Sequence, residues 1–142
     1  MDMESVSGKA GISVVTREQQ SAGTAQTSGS QRLVAIPGEQ SIASGMWAGT
    51  FRVQPGERTG IHHHGSQETV VYVLAGESLV RWGERGEHSA TVHAGDFIHV
   101  PAWVVHQEIN PSETETFEWV VVRSTPDPVV VNLADSVWDE RI

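Results

Sequence analysis

The chain has 142 residues, a formal net charge of −9 and no cysteine. That length suffices for one domain with its own core, and the acidic balance argues against nucleic acid and anionic membrane as partners, because phosphate binding needs a basic patch. Without cysteine there is neither a disulfide framework nor a thiolate metal site, and no apolar run approaches the length that spans a bilayer; the polar, acidic N-terminus lacks a secretion-signal pattern, so a cytoplasmic location is expected.

In chain order, residues 1–10 have nothing to pack and are expected to fray. Ile12-Ser13-Val14-Val15-Thr16 is a short β-prone run, and residues 18–31 form a polar loop rich in Ser, Thr, Gln and Gly. Arg32 to Ile36 reads as a strand stopped by Pro37-Gly38. From Met46 onward strands arrive at barrel or sandwich spacing: Met46 to Val53, Val70 to Leu74, Ser78 to Trp82, Ser89 to His93, Phe97 to Val100, Val104 to Ile109, Phe117 to Arg123 and Val129 to Val131. No segment keeps a helical period over three turns, and Ala134 to Trp138 supplies one short turn. The reading is all-β: a flexible arm over 1–30 with a possible short strand, a β-barrel over 31–132 and a tail over 133–142.

All seven histidines lie between His62 and His106. His62, His63 and His64 sit between a glycine-punctuated turn and a β-prone run. In an extended strand side chains alternate faces, so His62 and His64 point one way and His63 the other. Glu68 follows after Gly65-Ser66, a pair that permits a turn, and can return a carboxylate to the same point. That makes an N,N,O metal set, with His106 as candidate fourth ligand on a later strand.

Gly56, His62, His64, Glu68 and Gly76 match the first motif of the cupin superfamily, G-x5-H-x-H-x3,4-E-x6-G. Gly95, Pro101, His106 and Asn110 match its second, G-x5-P-x-G-x2-H-x3-N. The chain thus resembles a small single-domain bacterial-type cupin over roughly residues 45 to 123. The resemblance implies a double-stranded β-helix, or jelly-roll, barrel. It also implies metal ligands His62, His64, Glu68 and His106. Two positions depart from the motifs. Seven residues separate Glu68 from Gly76 instead of six, so counting back puts Thr69 in the acidic place; either a bulge turns Glu68 inward or Gln67 supplies an amide oxygen. Trp103 stands where the second motif has glycine.

Three imidazoles and a carboxylate suit one divalent transition metal per subunit, drawn from Fe, Mn, Ni, Co, Cu and Zn, with positions left open for substrate. The expected function is a mononuclear metal-dependent oxidoreductase, dioxygenase-like, acting on a small organic substrate, with Glu68 as proton acceptor. A non-redox isomerase, lyase or decarboxylase is the alternative, with His99, Tyr72 or Glu68 as acid or base; a non-catalytic binding domain is the third. Trp103, Trp47 and Phe97 are expected at the substrate pocket, although core packing is the commoner fate of such rings. Arg52, Arg81 and Arg123 lie in strands, and any that turned inward could anchor a carboxylate. A homodimer is expected, since pairing would cover open strand edges.

Overall fold

Alternating burial along the strands builds two antiparallel sheets. The computed structural model describes residues 11–41, 45–127 and 129–139, so the expected fraying of residues 1–10 lies outside it. Ten strands form among the described residues: β1 (Gln31–Ile36), β2 (Trp47–Val53), β3 (His62–His63), β4 (Thr69–Ala75), β5 (Glu77–Trp82), β6 (His88–His93), β7 (Phe97–Val100), β8 (His106–Ile109), β9 (Phe117–Arg123) and β10 (Val131–Asn132). One sheet runs β1-β2-β9-β4-β7 and the other β10-β3-β8-β5-β6. This is the all-β jelly-roll arrangement, a double-stranded β-helix with its core between the sheets.

The core follows from period-two patterning. On β9, Phe117, Trp119 and Val121 point inward and Arg123 continues the same face. Opposite them on β2 are Trp47, Phe51 and Val53, and on β4 Val71 and Val73. Phe51, Phe117 and Trp119 pack ring on ring, with centroids 5.2–6.1 Å apart. The Trp119 indole N–H donates to the Ser78 hydroxyl at 3.0 Å, tying the two sheets across a buried polar pair.

Three expected elements differ. Ile12 to Thr16 forms no strand; Ile12 and Val14 are exposed, and a single 3-10 turn, Arg17–Gln19, follows. A short run with no paired partner gains nothing from β-propensity alone. The strand after the Pro101 turn begins at His106 and not at Val104, and the last pairing falls on Val131–Asn132 instead of Val129 to Val131. The tail makes the expected turn, Asp135–Trp138, whose buried Trp138 donates to the Gly83 carbonyl at 3.0 Å. No helix among the described residues is long and apolar enough to cross a membrane.

Candidate metal centre

β3 and β8 lie side by side with His62 directly opposite His106, and His64 follows β3 by one residue. Strand alternation then brings three buried imidazoles together, with ring centroids 4.4–5.1 Å apart. One ring nitrogen from each lies within 4.8 Å of the others, so the cluster could hold a metal ion. His63 faces the other way, half-buried, its Nδ1 accepting the Gly65 N–H and its ring 5.7 Å from Trp103.

The other ring nitrogen of each imidazole is committed. His62 Nδ1 lies 2.9 Å from the Gly60 carbonyl, His64 Nδ1 2.8 Å from that of Val129, and His106 Nδ1 2.9 Å from that of Val104. A carbonyl only accepts, so each Nδ1 carries the proton and each Nε2 presents a lone pair inward. Those of His62 and His106 meet the carboxylate of Glu108, two residues beyond His106 and so on the same face of β8. Glu108 Oε2 is 3.0 Å from His106 Nε2, and Oε1 is 3.6 Å from His62 Nε2. His62 Nε2 and Glu108 Oε1 have no hydrogen-bond partner although both are buried. Imidazole lone pairs facing a carboxylate repel unless a cation, a proton or a metal, lies between them. Three imidazole nitrogens, with a carboxylate beside two of them, fit a borderline divalent metal.

Electrostatics keep the donors in their ligating forms. Burial first, then the neighbouring His106 and Arg32, push the His62 pKa down to about 4, against the pull of Glu108 and the Gly60 carbonyl. Burial and Arg123 drive His64 down as well. Burial alone would raise Glu108, yet His106 and His62, where they carry a proton, and the Arg32 guanidinium pull it well below the usual carboxylate range.

Two spaces adjoin the cluster and share Val100 and His106 as lining. One is a polar chamber of about 20 Å³ inside the barrel, reached by His64, Thr69, Glu108, Arg32 and Arg123. The other is an apolar cavity of about 380 Å³ between β5, β6 and β7, walled by Val80, Trp82, Val92, Ile98 and Val104.

Several expected site residues are placed elsewhere. Glu68 is not with the triad: its side chain is 60% exposed, 3.5 Å from His99 Nε2. The reason is the position of the bulge. It falls between Val73 and Ala75, at the far end of β4, so Thr69, Val71 and Val73 point inward and Glu68 stays outside. Thr69 therefore occupies the inward place that counting back from Gly76 assigned to it. Gln67 is buried but spent, donating to Thr125 and to the Asp127 carbonyl and accepting from the Val129 N–H.

Tyr72 lies on the outer sheet face against Phe97, 4.9 Å between centroids, away from the triad. His99 has an exposed ring, although it borders the apolar cavity. Phe97 is at that cavity's rim and 72% exposed. Trp47 is core, and Trp103 is 65% exposed beside a neighbouring surface recess. Of the strand arginines, Arg52 faces solvent, Arg81 donates to the Gly86 carbonyl and stacks on Trp138, and only Arg123 turns inward. Sequence reasoning passed over Glu108 and Arg32. The i, i+2 rule applied from His106 was the available signal for Glu108, and a lone charge in an otherwise apolar strand was the signal for Arg32.

A family model described as "Cupin domain" matches residues 49–123. No curated protein sequence matches the chain. Among solved structures, the polyketide cyclase RemF from Streptomyces resistomycificus superposes with a TM-score of 0.69 at 20% identity, over 91% of this chain and 92% of that one. An oxalate oxidase gives 0.67 at 22% identity, over 89% of this chain and 67% of that one. An uncharacterised protein with a double-stranded β-helix domain from Klebsiella pneumoniae gives 0.63 at 18%, over 78% and 89%. At these identities the likeness is one of fold.

Proposed function

Because the chain belongs to the cupin family, we propose that its histidine triad and Glu108 hold one divalent transition metal, and that the protein is a metal-dependent enzyme acting on a small organic substrate. The observation that carries this reading is the tautomer lock: three Nδ1–H groups are tied to backbone carbonyls, so three Nε2 lone pairs converge beside a buried carboxylate. A dioxygenase-like oxidoreductase is the leading form of the reading. When bound, the metal supplies a Lewis-acid centre with positions open to substrate and, for Fe, Mn or Cu, one that also exchanges electrons.

The protein's own groups do the rest. The carbonyls of Gly60, Val104 and Val129 orient the imidazoles and hold the proton of each neutral ring on its outward nitrogen, so that the lone pair is the inward one. Val80, Val92 and Val104 wall the larger cavity with apolar surface, which excludes water from a substrate lying there. Glu108, ionised and enclosed, is the carboxylate placed to take or return a proton. That last feature favours a second reading, a non-redox isomerase, lyase or decarboxylase, in which Glu108 replaces the His99, Tyr72 or Glu68 expected as acid or base. An oxalate oxidase and a polyketide cyclase are both built on this fold, so neither kind of chemistry is foreign to it.

Elemental analysis of protein purified without added metal tests the reading. About one divalent transition metal per chain is expected, lost in His62→Ala and in His106→Ala. No metal in the wild type, even after reconstitution with Fe, Mn, Ni or Zn, overturns it. Oxygen uptake by the loaded protein supports the first form, and turnover under strict anaerobiosis the second.

A further inference from the structure

Two arginines enter the barrel from the sheet opposite the histidines, Arg32 from β1 and Arg123 from the end of β9, and both are only 2% exposed. Buried guanidinium groups ordinarily meet a carboxylate in a bidentate pair. Neither does so here: no ion pair to Arg32 or Arg123 exists among the described residues. Each instead lays its flat face on a ring, Arg32 over Phe51 at 4.8 Å and Arg123 over Trp47 at 4.9 Å. Stacking fixes the guanidinium plane and leaves its N–H edge free. Arg32 Nη1 donates to the Ala25 carbonyl at 3.3 Å, but Arg32 Nε and both Nε and Nη1 of Arg123 have no partner. The Thr69 hydroxyl, in the same chamber, is unpartnered too.

Leaving several buried donors and two cations unsatisfied is costly against the marginal stability of a folded domain. Among the described residues the only carboxylate lining the chamber is Glu108, whose oxygens are turned to the histidines. Two guanidinium groups against one carboxylate leave the interior net positive, and a divalent metal makes it more so. Burial depresses both arginines, Arg32 to about 10 and Arg123 to about 9, still charged at neutral pH. A chamber of about 20 Å³ admits little more than one or two water-sized groups, which suits the head of a carboxylate. The 380 Å³ apolar cavity lies on the other side of Val100 and His106, which line both spaces, and suits a body that carries no charge.

We propose that Arg32 and Arg123, with the Thr69 hydroxyl, form the carboxylate seat of this site, and that its substrate is a small organic acid with an apolar body. The inference rests on reading the chamber as the substrate site, and it names the class of substrate. A purely polar diacid fits it less well, because only one end of the site is charged.

Benzoate, its neutral isostere benzamide and acetate are the probes, titrated into both metal-free and metal-loaded protein. Thermal shift and the fluorescence of Trp47 and Trp119, which lie at the seat, report binding. Benzoate is expected to bind in both forms, with benzamide and acetate each weaker by about tenfold or more, the loss typical of a charged hydrogen-bonded contact or of an apolar body. Arg123→Met removes a buried unpaired charge for an apolar chain of similar length, so it is expected to fold and to lose benzoate binding. Equal binding of benzoate and benzamide overturns the seat, as does unaltered benzoate binding by a folded Arg123→Met. Should that variant not fold, the benzoate–benzamide comparison on the wild type decides alone. Metal content measured in parallel separates the two readings. Benzoate selectivity in a protein that takes up no metal upholds the seat and overturns the metal site; metal uptake without selectivity does the reverse.

Discussion

Each imidazole of the triad is oriented from the side of its ring that faces away from the chamber, so the donor set is ready-made before any ligand arrives. Residue identity and two-residue spacing suffice to pair His62 with His64, because strand alternation is local. The carboxylate is different. Glu68 is the acidic residue at the expected spacing, yet Glu108 is the one beside His106 Nε2, at 3.0 Å. Glu108→Gln should therefore weaken metal binding about ten- to a hundredfold, whereas Glu68→Gln should leave metal content unchanged; competition with a chelator measures both. The opposite pattern would return the acidic ligand to the first motif.

Among the elements, β4 shows how one residue of phase decides a face. Its inward set, Thr69, Val71 and Val73, closes the core, and its outward set, Val70, Tyr72 and Leu74, is apolar and exposed. The bulge after Val73 absorbs the extra residue before Gly76, which adopts φ +81° where a Cβ would stand 2.7 Å from the Phe117 Cα. The turn before β8 keeps the left-handed shape that glycine normally supplies: Trp103 sits at φ 69°, and its N–H donates to the Gly65 carbonyl at 2.8 Å. Beside β4, the edge strand β7 adds exposed Phe97 to the outward patch. We propose that the expected homodimer forms through this face, since one sheet face and one open edge would be covered together. Light scattering should give twice the chain mass for the wild type and the single mass for Tyr72→Glu; a monomeric wild type, or a variant that stays dimeric, would sink the proposal.

For the whole molecule, the enclosed triad links stability to pH. An unfolded chain takes a proton on histidine near pH 6.5, while folded His62 resists until about pH 4. Between those values the unfolded state binds more protons, so the metal-free protein loses stability as pH falls through that window. For His62 alone the loss is on the order of 3 kcal/mol, and the lowered His64 acts in the same direction. Glu108, held below its ordinary pKa, adds a further loss below about pH 4.5. Thermal melts of metal-free protein at pH 7.5, 5.5 and 4.5 should show this fall, and a flat profile would contradict the buried neutral triad. Loaded protein should release metal over the same range, because protons compete for the same nitrogens.

Fold class, the main strands and the pairing of His62 with His64 were legible in the chain because they rest on local facts, alternation, glycine and proline punctuation, and spacing within a strand, whereas His106 was legible through its place in the second motif. The jelly roll itself was implied by the resemblance to cupins. Which carboxylate joins the histidines, which arginines turn inward and where the apolar cavity opens depend on strands far apart in sequence. Arg32 on β1 and Arg123 on β9 share a chamber with Glu108 on β8 only because closing the two sheets aims all three at one point. Register across a sheet is set by the packing of every neighbour at once, so a one-residue bulge in β4 moved an acid out and a threonine in. Tertiary structure alone decided that.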